Sequence, residues 1–189
     1  MMEGLTISFG ILALLIVVAL AFDFMNGFHD GANSISTIVA TGVLTPKQAV
    51  VFAAFFNFAA IWVFHLKVAA TIGKGTVDPG FVDYYVIFGA LSGALIWNIV
   101  TWIYGIPSSS SHALIGGLVG ATVTKAGGVA PIIWSGFGKI LLFIIISPMV
   151  GYFIGGMLMV LVAWLFRHQT PTKVKRWFNY TQLFASGAY

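Results

Sequence analysis

A run of four serines followed by a histidine is the segment whose residue types most clearly suggest chemistry. Its members are Ser108, Ser109, Ser110 and Ser111, with His112 directly after them. Hydroxyl groups and the free N–H groups of the predicted helix start would place several hydrogen-bond donors at one point, and the helix dipole adds partial positive charge there. One serine would suffice to cap the helix. Four of them favour a site that holds an oxyanion without arginine.

A second polar segment runs from Asp23 to Thr41 and carries two carboxylates. Side chains three or four residues apart share one face of a helix. The polar residues with this spacing are Asp23, Asn26, Asp30, Asn33, Thr37 and Thr41, and Ser34 lies beside them. Such a stripe could simply join helices through hydrogen bonds. That alternative explains the hydroxyl groups well and two carboxylates poorly, so the stripe predicts a site.

Two glycines, Gly27 and Gly31, flank Asp30. Glycine lowers the cost of unwinding a helix, and we therefore expect a break in the helix within residues 23–33. An unwound turn would free carbonyl oxygens for a cation and N–H groups for an anion.

A carboxylate beside an oxyanion raises an electrostatic problem if the two polar segments form one site. Two like charges about 4 Å apart repel by roughly 4 kcal/mol at an effective dielectric constant near 20, which is about three decades in affinity. A cation between them, or a proton on Asp30, removes the repulsion. Proximity of the two segments would therefore imply cation coupling.

Several other polar residues leave alternatives open. His29 could transfer protons near neutral pH or act as a plain hydrogen-bond donor. Asn57, Asn98 and Thr101 could line a cavity or join helices, and joining helices is favoured. Trp97 is as consistent with an interfacial aromatic belt as with a more specific role.

Apolar runs predict the helices that must position these groups. The expected elements are a span over about 6–24, helix again from about 32 to 41, a turn at 43–46, a second span over 47–71, a polar loop at 73–79, a third span over 81–104, a short helix over 112–123 and a long helix within 131–166. The helix over 112–123 is too short to cross about 30 Å of hydrocarbon. It predicts a half-helix or one arm of a re-entrant hairpin, unless it joins the preceding segment. The long helix carries Ser147-Pro148, where a kink is expected.

The composition indicates an all-α integral membrane protein. Apolar residues make up 59% of the 189 positions and charged residues only 7%, whereas a soluble domain is about 25% charged. No cysteine is present, which excludes thiolate metal sites and cysteine nucleophiles. Four of the nine basic residues lie between Arg167 and Arg176, which predicts a cytoplasmic tail. This cluster has too few basic residues to indicate a lipid-binding patch. The net charge of +4 does not indicate nucleic-acid binding.

Four motifs, in order, resemble landmarks of the inorganic phosphate transporter family. They are Asn26-Gly-Phe-His-Asp-Gly-Ala-Asn33, Phe56-Asn-Phe58, Ile96-Trp-Asn98 with Thr101-Trp102, and the segment from Pro107 to Gly116. The resemblance covers nearly the whole chain. It implies sodium- or proton-coupled symport of phosphate, with no cofactor or metal and no enzymatic activity, in the cell membrane.

The same resemblance assigns roles to individual residues. Phosphate would be bound by Asp30, Asn33, Ser108, Ser109, Ser110, Ser111 and His112, and the coupling cation would be served by Asp23, Asn26, Asp30 and Asn33. An acidic residue at position 23 resembles the bacterial branch and points toward proton coupling, with sodium still open.

The family is built from two inverted halves, and these residues resemble the first. We therefore expect residues 1–166 to form one transmembrane repeat unit with broken helices and a re-entrant serine hairpin. Residues 167–189 would form the basic tail and the start of a truncated further element. Inverted-repeat carriers bind substrate between their repeats, so the chain alone is expected to hold half a site and not to transport as a monomer. A second transporter half or a homo-oligomer partner would complete it.

Three alternatives remain at this level. Similar donors could hold another oxyanion such as sulfate. An intramembrane hydrolase could use a serine of the run with His112 and Asp30, although no Gly-x-Ser-x-Gly elbow is present. The chain could also be a membrane scaffold that transports nothing.

Overall fold

The computed structural model describes residues 8–63 and 75–188, and the chain is all-α over these ranges. Its helices are α1 (Phe9–Ala40), α2 (Pro46–Val63), α3 (Tyr84–Tyr104), α4 (Ser110–Ala126), α5 (Trp134–Phe166) and α6 (Pro171–Ala188), with a short 3₁₀ turn at Pro79–Phe81. Three of them, α1, α3 and α5, are long and apolar enough to cross a membrane. Even α3, with 21 residues, is about 31 Å long at 1.5 Å per residue.

Helix α1 is continuous from Phe9 to Ala40, and the expected break within residues 23–33 is wrong. A Cβ added at Gly27 or Gly31 would meet nothing within 4 Å, so neither glycine marks a tight backbone approach. Each costs only about 1 kcal/mol relative to alanine. In an apolar environment that cost is smaller than the cost of leaving backbone groups unsatisfied, and the helix persists.

The second expected interruption is confirmed. Helix α3 ends at Tyr104, where Gly105 adopts φ 64° and ψ 28°. Helix α4 begins at Ser110 and has 17 residues, longer than the expected helix over 112–123. The two helices form an antiparallel hairpin. Whether the hairpin re-enters a membrane stays a prediction.

Small residues let α3 and α4 approach closely. A Cβ at Gly117 would clash with the carbonyl oxygen of Ala90, and a Cβ at Gly89 would lie 3.2 Å from that of Ala121. The buried residues of α3 lie at helical spacing, and they are Val86, Ala90, Ala94, Asn98 and Thr101. This face fixes the positions of Asn98 and Thr101, its polar residues nearest the connection between α3 and α4.

An ion pair closes the open end of the hairpin. Lys125 Nζ lies 2.8 Å from Asp83 Oδ2 and donates to the carbonyl oxygen of Phe81 at 3.1 Å. Asp83 also caps α3 by accepting from the N–H of Val86 at 3.1 Å. The hydrogen bond from Lys125, followed by that from Val86, lowers the pKa of Asp83 below its ordinary value of 3.8, although partial desolvation opposes the shift.

The chain divides into two compact units, which comprise described residues 8–30 and 75–137 in the first and 31–63 and 138–188 in the second. In the second unit, α6 packs on α2, where Gly187 allows close approach to the ring of Phe56. Thr41 donates to Gln182 Oε1 at 3.0 Å. For Thr41, the helix-joining alternative holds.

The remaining expectations are mostly confirmed. Pro46 begins α2 after a turn, the third span matches α3, and α5 runs through Pro148 as one long helix. The end of the second span, from 64 to 71, and the first part of the loop at 73–79 lie outside the described residues. Helix α6 occupies most of the range 167–189, and its assignment as the start of a further element stays a prediction.

Candidate functional site

Asp30 and Ser110 connect the two polar segments found in the sequence. The Ser110 hydroxyl donates to Asp30 Oδ2 at 2.9 Å. Ser110 is only 4% exposed, whereas the Asp30 side chain keeps 42% of its surface. A carboxylate that accepts a hydrogen bond from a buried hydroxyl and still faces outward can also meet an ion or a proton.

The other serines of the run have different partners, so the four hydroxyl groups do not all converge as expected. Ser108 Oγ accepts from the indole Nε1 of Trp97 at 3.0 Å. Ser109 caps α4, where its Oγ accepts from the N–H of His112 at 3.4 Å. Ser111 is exposed and has no hydrogen-bond partner among the described residues. Because Ser108 and Ser109 act as acceptors, their own O–H groups remain available as donors.

A cavity of about 390 Å³ opens beside the start of α4. Its lining residues are Gly93, Trp97, Ser108, Ser109, His112, Ala113, Gly116 and Gly117. Three of the predicted anion-binding residues therefore line one cavity, within the usual size range of small-molecule sites. Asp30 and Ser110 are not among the lining residues.

A buried polar cluster lies behind Asp30. His29 Nε2 is 3.5 Å from Thr101 Oγ1, and His29 Nδ1 is 3.9 Å from Asp30 Oδ1. Thr101 Oγ1 also bonds to the carbonyl oxygens of Trp97 and Asn98, at 2.9 and 3.1 Å. The Asn98 side chain is buried, and its Nδ2 has no partner among the described residues. These contacts agree with a helix-joining role for Thr101.

The rest of the α1 stripe is not drawn into this cluster. Asp23 is exposed and Asn26 half-buried, and neither forms a hydrogen bond with another described residue. Asn33 belongs to the second unit, where its side chain is exposed. Asn57, also in that unit, is exposed. Of the predicted cation-coupling residues in the first unit, which are Asp23, Asn26 and Asp30, Asp30 alone contacts the serine run. Across the described ranges, no three His, Asp or Glu side chains cluster as metal ligands would.

Sequence reasoning missed two contacts. The bond from Trp97 to Ser108 joins residues 11 positions apart on opposite sides of the hairpin connection. For Trp97, the sequence left an interfacial role and a more specific one equally open. The pair of Asp83 and Lys125 was missed as well. The signal was present, because an acidic residue directly before one helix and a basic residue in the last turn of the next would meet at the open end of an antiparallel hairpin.

The sequence is similar to curated proteins named "Probable low-affinity inorganic phosphate transporter". That of Rhizobium meliloti (strain 1021) is 53% identical over 97% of this chain and 55% of its own length. The Bacillus subtilis (strain 168) protein is 44% identical over 92% of this chain and 52% of its own. The Streptomyces halstedii protein is 43% identical over 94% of this chain and 83% of its own. The chain thus spans about half the length of the first two relatives.

A solved structure, described as "The sodium-dependent phosphate transporter", has the same fold. It is similar with a TM-score of 0.78 and 24% identity over 94% of this chain and 54% of that chain. The relatives and this neighbour carry the names of transporters and not of enzymes. The sequence matches the Phosphate transporter family over residues 26–187. With its spanning helices, the chain is a multi-pass membrane protein of the phosphate transporter family.

Proposed function

We propose that this chain supplies half of the site for cation-coupled symport of inorganic phosphate across the cell membrane, with sodium or a proton as the coupling ion. The observation that carries the proposal is the hydrogen bond from Ser110 to Asp30. It links Asp30, an acidic side chain of the proposed ion site, to the serine run that carries the proposed phosphate donors. Family membership supports phosphate as the substrate, and the name of the structural neighbour supports a sodium-type coupling ion.

The pair of Asp30 and Ser110 explains how an ion could control the anion. While Asp30 is ionised and unoccupied, its charge repels phosphate and its Oδ2 holds the Ser110 O–H. A sodium ion on the carboxylate, or a proton that makes it a donor to Ser110 Oγ, removes the repulsion. The proton would also free the Ser110 O–H, because a protonated Oδ2 no longer accepts from it. Ion and anion then bind best together, as symport requires.

Hydroxyl and backbone donors supply the phosphate side of the proposed site. The O–H groups of Ser108, Ser109 and Ser111 have no acceptor among the described residues, and the first N–H groups of α4 lie in the same segment of the chain. His112 lines the same cavity as Ser108 and Ser109. Neutral donors of this kind bind a phosphate less tightly than arginine would, which suits a carrier that must also release its substrate.

A second half would complete the site. The chain spans about half of its first relatives, and carriers with inverted repeats place substrate between the repeats. In this proposal Asn33, Asp23 and Asn26 contribute to the ion site only once that half, or a second copy of the chain, is present. The repeat unit would be residues 1–166, followed by the basic segment 167–189.

Uptake of radiolabelled phosphate in proteoliposomes tests the proposal. The chain is reconstituted alone and with the remaining half of the Rhizobium meliloti relative, under imposed sodium or proton gradients. We expect uptake only with both halves and only with one of the two gradients. Ser110→Ala should abolish most of the gradient dependence, while Ser110→Thr, which keeps the hydroxyl, should retain it.

Three outcomes would contradict the proposal. Uptake by the chain alone as a monomer would refute the half-site. Equal uptake with and without both gradients would refute coupling. Stronger inhibition of uptake by unlabelled sulfate than by unlabelled phosphate would assign the site to another oxyanion.

A further inference from the structure

The two chain segments that flank the hairpin of α3 and α4 pair with each other. Residues 75–78 lead into the hairpin and residues 131–133 follow it, all within the first unit. Val77 and Ile132 face each other in an antiparallel bridge between the two segments. This pairing is termed the loop clamp.

Backbone hydrogen bonds lie on both sides of the bridge. The N–H of Asp78 donates to the carbonyl oxygen of Pro131 at 2.8 Å. The N–H of Ile133 donates to the carbonyl oxygen of Thr76 at 3.0 Å. A pair bracketed in this way is of the non-hydrogen-bonded type, in which the two Cα atoms are about 4.5 Å apart. The two segments are therefore joined as neighbouring strands of a sheet are.

The loop clamp is also closely packed. Val77 is fully buried, and Thr76 and Ile132 are buried beside it. A Cβ added at Gly136, in the first turn of α5, would overlap the carbonyl oxygen of Gly75. Opening the clamp would expose Val77 and separate the paired backbone groups, and both changes are unfavourable.

Lys125 adds a second connection between the same ends of the hairpin. Its Nζ, in the last turn of α4, lies 2.8 Å from Oδ2 of Asp83, the residue directly before α3. The same Nζ donates to the carbonyl oxygen of Phe81 at 3.1 Å. At the other end of the hairpin, the chain itself connects α3 to α4 through residues 105–109. The two arms are thus joined at both ends.

We propose that the hairpin of α3 and α4 moves through the transport cycle as one rigid element, with the loop clamp closed in every state. This proposal rests on the proposed function, in which the site must open to each side of the membrane in turn. Because the arms are joined at both ends, that change does not come from separation of α3 and α4. Asn98 and Thr101 on α3 then keep fixed positions relative to Ser110 on α4.

A disulfide across the loop clamp tests the proposal, and the chain has no cysteine of its own. Val77→Cys and Ile132→Cys are combined, because the Cα separation of such a pair, about 4.5 Å, lies within the disulfide range of about 4.4–6.8 Å. The chain is reconstituted with the remaining half of the Rhizobium meliloti relative in cysteine-free form. Free thiols are counted with a maleimide mass tag before and after oxidation.

We expect the disulfide to form, and phosphate uptake to be equal in oxidised and reduced proteoliposomes. Val77→Cys alone is the matched control for the oxidant. A loss of uptake on oxidation that is restored by reduction would show that the clamp opens, and it would overturn the proposal. Failure of the disulfide to form would refute the pairing itself.

A second cross-link between the two arms covers the case in which the buried pair does not fold. A Cβ at Gly89 would lie 3.2 Å from that of Ala121, close to the Cβ separation of about 3.5–4.5 Å in a disulfide. Gly89→Cys combined with Ala121→Cys should also retain full uptake when oxidised. A reversible loss of uptake in this variant would show that α3 and α4 separate, which would equally overturn the proposal.

Thiol accessibility separates a failure of this proposal from a failure of the proposed function. If the wild type takes up no phosphate, the proposed function fails, and the clamp is judged by the reaction of Val77→Cys with a water-soluble maleimide. Because Val77 is fully buried, we expect this reaction to be slow and unchanged by phosphate with sodium. Val129→Cys, at a position that is 56% exposed, is the control that should react rapidly. Faster labelling at position 77 on addition of phosphate with sodium would contradict a clamp that stays closed.

Discussion

The hairpin of α3 and α4 and the long helix α5 are both apolar, yet they are built for different surroundings. The hairpin has a buried face, a glycine contact between backbones, caps at its helix starts and an ion pair at its open end. Helix α5 has 33 residues and none of them is buried in this chain. The polar groups of the candidate site lie on the hairpin and on the part of α1 within the same unit.

The contrast teaches where precise geometry can be maintained. In a membrane, apolar side chains gain little by contacting one another instead of lipid, so close helix pairs depend on small residues and polar contacts. The hairpin has both, and it can therefore hold Ser110 against Asp30. Helix α5 offers an apolar surface to lipid or to another protein segment.

The largest expected effect is at the glycine contact of the hairpin. Gly117→Ala places a methyl group against the Ala90 carbonyl and should destabilise the chain by about 2–3 kcal/mol. Thermal unfolding in detergent, followed by size-exclusion chromatography, measures the loss. The neighbouring Gly116→Ala is the matched control, because a Cβ there meets nothing within 4 Å. Equal losses in the two variants would contradict the close packing.

The ion pair at the open end should contribute less. Asp83→Ala removes the α3 cap, worth about 1 kcal/mol, and the pair with Lys125, worth about 0.2–1 kcal/mol at a solvent-accessible position. Asp83→Asn keeps the cap and loses only the pair. Denaturation of the two variants separates the contributions, and an Asn variant as unstable as the Ala variant would refute the capping role.

The same ion pair predicts a pH dependence. Because the pKa of Asp83 is lowered in the folded chain, the unfolded chain binds more protons in acid. The contribution of Asp83 to the stability of the folded chain is complete at pH values above its ordinary pKa, near 3.8. It is lost as the pH falls through the lower pKa that Asp83 has in the folded chain. The stability difference between the wild type and Asp83→Asn should shrink over that acidic range. A difference that grows instead would have the wrong sign.

The hydrogen bond from Trp97 to Ser108 is the next test. Trp97→Phe keeps an aromatic ring and removes the indole donor to Ser108. Because this hydrogen bond positions Ser108, its loss should weaken the free energy of phosphate binding by about 1 kcal/mol. That is a roughly fivefold loss in phosphate affinity. Equilibrium binding of labelled phosphate to the two reconstituted halves provides the measurement. Trp102→Phe serves as the control, since Trp102 contacts Phe28 by its ring at 5.4 Å. Parallel losses in both variants would indicate a general packing effect.

The smallest effect is expected on α5. Met157 is 73% exposed, so Met157→Ala removes few protein contacts and should change stability by less than about 0.5 kcal/mol. Thermal unfolding of the chain in detergent checks this value. A loss comparable to that of Gly117→Ala would show that α5 is packed as tightly as the hairpin, and the comparison would fail.

Most of the fold and part of the site could be predicted from the sequence. Apolar runs identified α1, α3 and α5, and Pro107 with the serines identified the hairpin connection. The break in α1 was predicted wrongly because glycine lowers the free-energy cost of unwinding a helix but does not show that the helix unwinds. The different partners of Ser108, Ser109 and Ser110 depend on side-chain directions across the connection, and the periodicity of the sequence does not contain that information.

A double-mutant cycle on Asp30 and Ser110 tests the central claim most directly. Phosphate affinity is measured with and without the coupling ion for the wild type, Asp30→Asn, Ser110→Ala and the double variant, each reconstituted with the second half. We predict that the ion-dependent gain is lost in either single variant and that the second substitution adds little. Strictly additive losses, or full ion dependence in Ser110→Ala, would contradict the account.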